Sequence, residues 1–147
     1  MKKYALDTNL YIQAFRDQGA AEELQMFYST FAPATYLSSV VLHELLVGAT
    51  SLAKAREVKE LVASPFQRTR RILTPSANAW EVAAEGIAAM ARREKRELRT
   101  LPKSLVNDHL LAASCRESGV VLVTLNVSDF ESIRRHIKVE FTLPWPT

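Results

Sequence analysis

The chain has 147 residues, about one domain's length, with a 48% apolar fraction and mean hydropathy near zero, as in an ordinary globular protein. No apolar run approaches the ~20 residues needed to cross a bilayer, and Met1-Lys2-Lys3 leads into an acid-bearing strand and not a signal peptide. The lone Cys115 excludes an internal disulfide, and a net charge of +3 is mildly basic, compatible with a polyanionic partner. A cytoplasmic protein is expected.

The apolar run Tyr4-Ala5-Leu6 reads as a buried strand that stops on Asp7-Thr8-Asn9, residues that favour turns and helix N-caps. A short helix from Leu10 to Arg16 follows, and Gly19 should break it. Ala20 to Phe31 forms the next helix, with Leu24, Phe27, Tyr28 and Phe31 on one side, and Pro33 ends it. Thr35 to Ser38 is β-rich, and Ser38 or Ser39 caps a helix running from Val40 to about Gly48. Ser51 restarts a polar helix through Val62, which ends before Pro65, and Arg71 to Thr74 is a short strand.

The longest helix runs from Ala77 to about Leu98, with Trp80, Ala83, Ala84, Ile87, Met90 and Ala91 on its apolar face. Gly86 inside it implies close helix packing. Its end, Arg92-Arg93-Glu94-Lys95-Arg96, is basic. A solvated face favoured by the helix dipole explains this, and contact with RNA is the alternative. After Pro102, Ser104 caps a helix from Leu105 to Glu117 that stops at Gly119. Val120 to Thr124 is a continuous β-branched run, as expected for a parallel strand covered on both faces. Asn126 ends it, Asp129 lies in the turn or short helix beyond, and Lys138 to Leu143 reads as an edge strand. Strands alternate with helices throughout, so the expected fold is α/β, a single domain over residues 1–147 with a mainly parallel central sheet flanked by helices.

The informative residues are acids inside apolar stripes. Asp108 shares a helix face with Leu105, Leu111, Ala112 and Cys115, and Glu44 lies in the nearly all-apolar run Val40 to Val47. An ionised carboxylate does not belong there unless a cation compensates for lost hydration. The structural alternatives are that Asp7 and Asp108 serve as helix-start residues and that Glu44 reaches out to solvent. Asp7 and Asp129 lie at or beyond strand ends, and Glu44 and Asp108 near helix starts, all at one end of a parallel sheet, where such sheets place ligands. Hard oxygen ligands without His or Cys suit Mg2+ or Mn2+ and not zinc, and such clusters serve phosphoryl chemistry. His43 and His109 sit beside acids in sequence but not on their helix faces, so they are read as peripheral.

Four segments carry a resemblance: Leu6-Asp7-Thr8-Asn9, Glu44-Leu45-Leu46-Val47-Gly48, Asn107-Asp108-His109-Leu110-Leu111-Ala112-Ala113, and Val123 to Phe130. With the Pro144-Trp145 ending, they occur in the order and spacing of PIN-domain ribonucleases. Within that superfamily the chain resembles the VapC-type toxins of type II toxin–antitoxin modules. The resemblance implies an endoribonuclease whose metal site is Asp7, Glu44 and Asp108, with Thr8 as a nearby hydroxyl. The fourth acid falls at the position of Asn126 or of Asp129. Here the first is an amide, so Asp129 is assigned and Asn126 is left as a further ligand or water holder. The resemblance also implies a Mg2+ or Mn2+ cofactor, an RNA substrate, a cognate antitoxin in the active-site groove and a homodimer. Two other classes compete. One is a non-catalytic module that keeps the fold and binds protein or RNA. The other is a haloacid-dehalogenase-like phosphatase, which would need an acid where this chain has Asn9.

Overall fold

The computed structural model describes residues 1–147 and contains five parallel strands in the order β3-β2-β1-β4-β5. These are β1 (Lys3–Leu6), β2 (Thr35–Ser38), β3 (Ile72–Leu73), β4 (Val120–Val123) and β5 (Phe141–Thr142). β1 is the centre, with Tyr4 opposite Thr35 of β2 on one side and Leu6 opposite Val123 of β4 on the other. The chain winds outward from β1 through β2 to β3, then crosses back to build β4 and β5. The winding direction therefore reverses between β1 and β4, and the crevice beyond their carboxyl ends is the ligand position of open parallel sheets. The expected all-round coverage holds: Ala5, Leu37, Leu122 and Val123 are fully buried. β3 and β5 pair over two residues each, shorter than the expected runs, because each is an edge with one neighbour.

The helices are α1 (Thr8–Arg16), α2 (Gln18–Phe31), α3 (Ser39–Val47), α4 (Leu52–Glu57), α5 (Ser64–Arg68), α6 (Ala77–Glu94), α7 (Lys103–Ser118) and α8 (Val127–Arg134). Ser38 caps α3, its hydroxyl accepting the Val40 N–H. Several boundaries differ from expectation for local reasons. The break between α1 and α2 is Asp17, not Gly19: its carboxylate accepts the Ala20 N–H and caps α2, so Gly19 falls inside that helix. Pro65 does not stop the preceding helix. A π-helical segment, Val58–Ala63, joins α4 to α5 and widens the turn ahead of the proline ring. α7 opens two residues before expected, directly after Pro102, and Ser104 is exposed and caps nothing.

α6 corrects the sequence reading most. Its buried stripe is Ala79, Ala83, Gly86, Met90 and Ala91, whereas Trp80 is 59% exposed and Ala84 also faces water. The stripe is set by close packing on α7, which leaves room only for small side chains from Ala79 to Gly86. A Cβ at Gly86 would come within 3.2 Å of His109 on α7 and of Ile137, so the expected close approach at Gly86 is present. The helix also ends at Glu94, four residues early, with Lys95 in the left-handed region.

α7 is buried continuously from Asp108 to Cys115, so it is a core helix with no solvent face over two turns. It ends on Gly119, whose φ of 64° is the left-handed conformation that glycine adopts without strain. A Cβ there would meet nothing within 4 Å, so the cost of a side chain is conformational alone. Gly119→Ala should therefore lower stability by about 1 kcal/mol in urea unfolding without altering the folded circular dichroism spectrum. An unchanged midpoint would show that the helix end can rearrange.

Candidate functional site

Asp7 leaves β1 in extended geometry and its N–H donates to the Val123 carbonyl at 2.9 Å, carrying the β1–β4 register one residue past the strand. Its two oxygens then do different work. Oδ1 accepts the Thr8 N–H at 2.8 Å, which caps α1. Oδ2 accepts the Thr124 hydroxyl at 2.6 Å and the Asn126 side-chain amide at 3.4 Å. Capping and membership of a polar site were alternatives in the sequence. In the fold one carboxylate does both. The Thr124 hydroxyl also accepts the Asn126 N–H at 3.0 Å, so the end of β4 is locked to the end of β1 through a single side chain.

Glu44 reaches the same place from α3, where it is half-buried, and its Oε1 accepts the Thr8 hydroxyl at 2.7 Å. Asp108 comes from the second turn of α7 and is 8% exposed. Asp129 stands exposed in the first turn of α8, near enough to act on Asp108. The expected site residues Asp7, Thr8, Glu44, Asp108, Asn126 and Asp129 thus gather at one end of the sheet. His43 is exposed and outside the group. His109 is also outside it but fully buried: its Nδ1 donates to the Leu105 carbonyl at 2.8 Å and the ring packs between α6 and α7.

Thr124 is the participant that sequence reasoning passed over. It is fully buried at the tail of an apolar strand, and a lone hydroxyl in that position two residues before Asn126 was the available signal.

The electrostatics divide the acids. Burial raises the Asp7 pKa, while the Thr124, Thr8 and Asn126 hydrogen bonds pull it back towards the ionised form and Glu44 adds repulsion. Asp108 has no such donors. Burial first, then the charges of Asp7, Glu44 and Asp129, push it up to about 8. No basic side chain pairs with any of the four, since the chain's salt bridges all lie between Arg93 and Arg99. Cys115 beneath them is inert, its thiol pushed up to about 12 by burial and by Asp7. The arrangement is thus a crowded set of oxygen donors with surplus negative charge. No three of them converge closely enough to grip one ion unaided.

The PIN domain family model matches residues 4–135, and the chain belongs to that family. Three solved structures show the same fold along almost the whole chain. VapBC from Salmonella typhimurium, solved bound to DNA, is 26% identical with a TM-score of 0.69, over 97% of this chain and 98% of that one. FitAcB from Neisseria gonorrhoeae is 20% identical with a TM-score of 0.67, over 98% and 99%. VapBC2 from Rickettsia felis, bound to a DNA fragment from its promoter, is 21% identical with a TM-score of 0.61, over 97% and 98%. All three bear out the α/β class, and the Salmonella typhimurium VapBC likeness, with the family match, bears out the VapC-type resemblance of the motifs. A search of curated protein sequences finds no match to this chain.

The Asp108 shift makes stability depend on pH in a definite direction. Its folded pKa, about 8, lies above the unfolded 3.8, so between those values the native state holds the extra proton. Its contribution is complete below the unfolded value and is lost as pH rises through the folded one. In EDTA, the melting temperature of wild type should therefore fall relative to that of Asp108→Asn as pH rises across this window. A difference that stays constant with pH would mean that Asp108 is not a repelled, proton-holding acid.

Proposed function

We propose that the chain is a Mg2+- or Mn2+-dependent endoribonuclease and the toxin of a toxin–antitoxin pair. The observation that carries this reading is Asp108, a buried carboxylate raised to about 8 by burial and three neighbouring acids with no cation beside it. PIN domains are generally nucleases and typically use divalent metals, which agrees with an all-oxygen donor set.

Asp7 and Asp108 would hold the ion, with Glu44 and Asp129 beside it. Bound there, Mg2+ or Mn2+ supplies Lewis acidity towards the scissile phosphate and lowers the pKa of water. Thr124, the Thr8 N–H and Asn126 keep Asp7 aimed and favour its ionised form. To hold a cation Asp108 would have to be ionised, because ligation requires the carboxylate. Glu44, oriented by the Thr8 hydroxyl, is the acid suited to hold the attacking water and take its proton. Asn126 is a donor to Asp7, which leaves the fourth acidic position to Asp129 at the open rim.

The VapBC and FitAB neighbours support a cognate antitoxin as partner. A homodimer is the assembly that the VapC-type resemblance implies. A groove beside Glu44 combines apolar Ile12, Phe15, Leu45 and Val58 with charged Arg16, Lys54 and Glu57, a mixed surface of the kind a protein partner covers. No helix is long and apolar enough to cross a membrane, which agrees with a cytoplasmic site of action.

Purified Asp7→Asn and Asp108→Asn should each cut RNA cleavage on the order of 100-fold or more while remaining folded by circular dichroism. EDTA should abolish cleavage and Mg2+ or Mn2+ restore it. Wild-type rates in either variant, or activity restored by Zn2+ alone, would sink the proposed site. Expressed without a partner, the wild type should arrest bacterial growth and Asp7→Asn should not. Harmless expression of abundant soluble wild type would favour the non-catalytic module.

A further inference from the structure

The basic segment at the end of α6 has no role in the acid cluster, yet the fold brings it close by. Residues 92–103 contain six basic and two acidic side chains, so these twelve residues carry more than the chain's entire net charge of +3. They form the turn of the α6–α7 hairpin. Lys103 is the first residue of α7 and Asp108 the sixth, which puts roughly 7.5 Å of helix axis between them. The same turn is tied to α8, the helix that carries Asp129: an Arg93 guanidinium N–H donates to His136 Nε2 at 2.9 Å, just past the end of α8. The hairpin turn therefore lies next to Asp108 along α7, and it touches the chain just beyond the end of α8 opposite to Asp129.

Part of its charge is committed locally. Glu94 lies within 4 Å of Arg93 and Arg96, and Glu97 sits 3.1 Å from Arg99. Arg92, Lys95 and Lys103 are exposed and have no acidic partner. A helix dipole explains one or two cations at a carboxyl end, but it does not explain Lys103, which opens the next helix where the dipole disfavours it.

We propose that the α6–α7 hairpin turn is the RNA-docking surface of this protein, where Arg92, Lys95 and Lys103 bind backbone phosphates of the strand that crosses the acid cluster. The assignment rests on the nuclease reading for its substrate class, and it explains how a site with surplus negative charge receives a polyanion. The acids repel the strand at the point of chemistry, and the cations of the hairpin turn hold it there.

The test is binding of a fluorescein-labelled single-stranded RNA in EDTA, where no cleavage competes. The triple variant Arg92→Gln, Lys95→Gln, Lys103→Gln should bind at least ~10-fold more weakly, and the slope of log affinity against log salt should fall by about 2, or ~0.7 per lost phosphate contact. A triple that removes equal charge elsewhere, Arg56→Gln, Lys59→Gln and Arg68→Gln, should lose much less. If the first triple melts below wild type, Arg92→Lys, Lys95→Arg, Lys103→Arg keeps the charge and should retain affinity. Equal losses in the two neutralised triples, or none in the first, overturn the proposal. Competition by polyglutamate as effective as that by unlabelled RNA also overturns it, and assigns the turn to an acidic protein. A wild type that binds RNA through the turn but never cleaves it with Mg2+ or Mn2+ overturns the nuclease reading alone.

Discussion

Two strand ends meet on one carboxylate, and the rest of the structure depends on that contact. Asp7 Oδ2 receives Thr124 and Asn126 from the end of β4, while Oδ1 starts α1. A buried acid without those donors would take up a proton, as Asp108 does. Burial raises the pKa of both aspartates, but hydrogen bonds pull Asp7 partly back towards the ionised form, whereas Asp108 has no donor and meets three acids besides. A site built this way is neither fully satisfied nor fully neutral, and a divalent cation would relieve both conditions at once.

The balance of charge along α7 follows the same logic. Its first turn lies in the basic hairpin, its second carries Asp108, and it is core from there to Cys115. Cations close enough to pair with the acids would settle their charge internally and leave nothing for a metal to do. Here the hairpin's ion pairs are made with its own glutamates, so the cluster keeps its surplus charge.

Much of this was legible in the residues. The strand-helix alternation, the β-branched run from Val120 and the acids at strand ends point to the class and to one end of the sheet where Asp7, Glu44, Asp108 and Asp129 meet, because burial patterns and turn chemistry act locally. What escaped depended on partners distant in sequence. The face of α6 was misread because Trp80 is apolar, whereas the true stripe is chosen by the room α7 leaves at Gly86. Pro65 passed through a helix because a π segment made space for it. Thr124 had no visible role, since its partner lies 117 residues earlier. Asp17 displaced Gly19 as the break because a side-chain cap outweighs backbone permissiveness.

That separation of 117 residues has a consequence for the life of the chain. Asp7 is made almost first, but the hydroxyl that orients it comes late, and β4 cannot pair with β1 until it has left the ribosome. Long-range parallel pairing of this kind is slow to close and cannot be anticipated by a partial chain. A nascent chain stopped before Thr124 therefore lacks the aimed carboxylate, however much of its sheet has formed. The acid cluster is thus assembled only on nearly finished molecules, however early its first carboxylate is made.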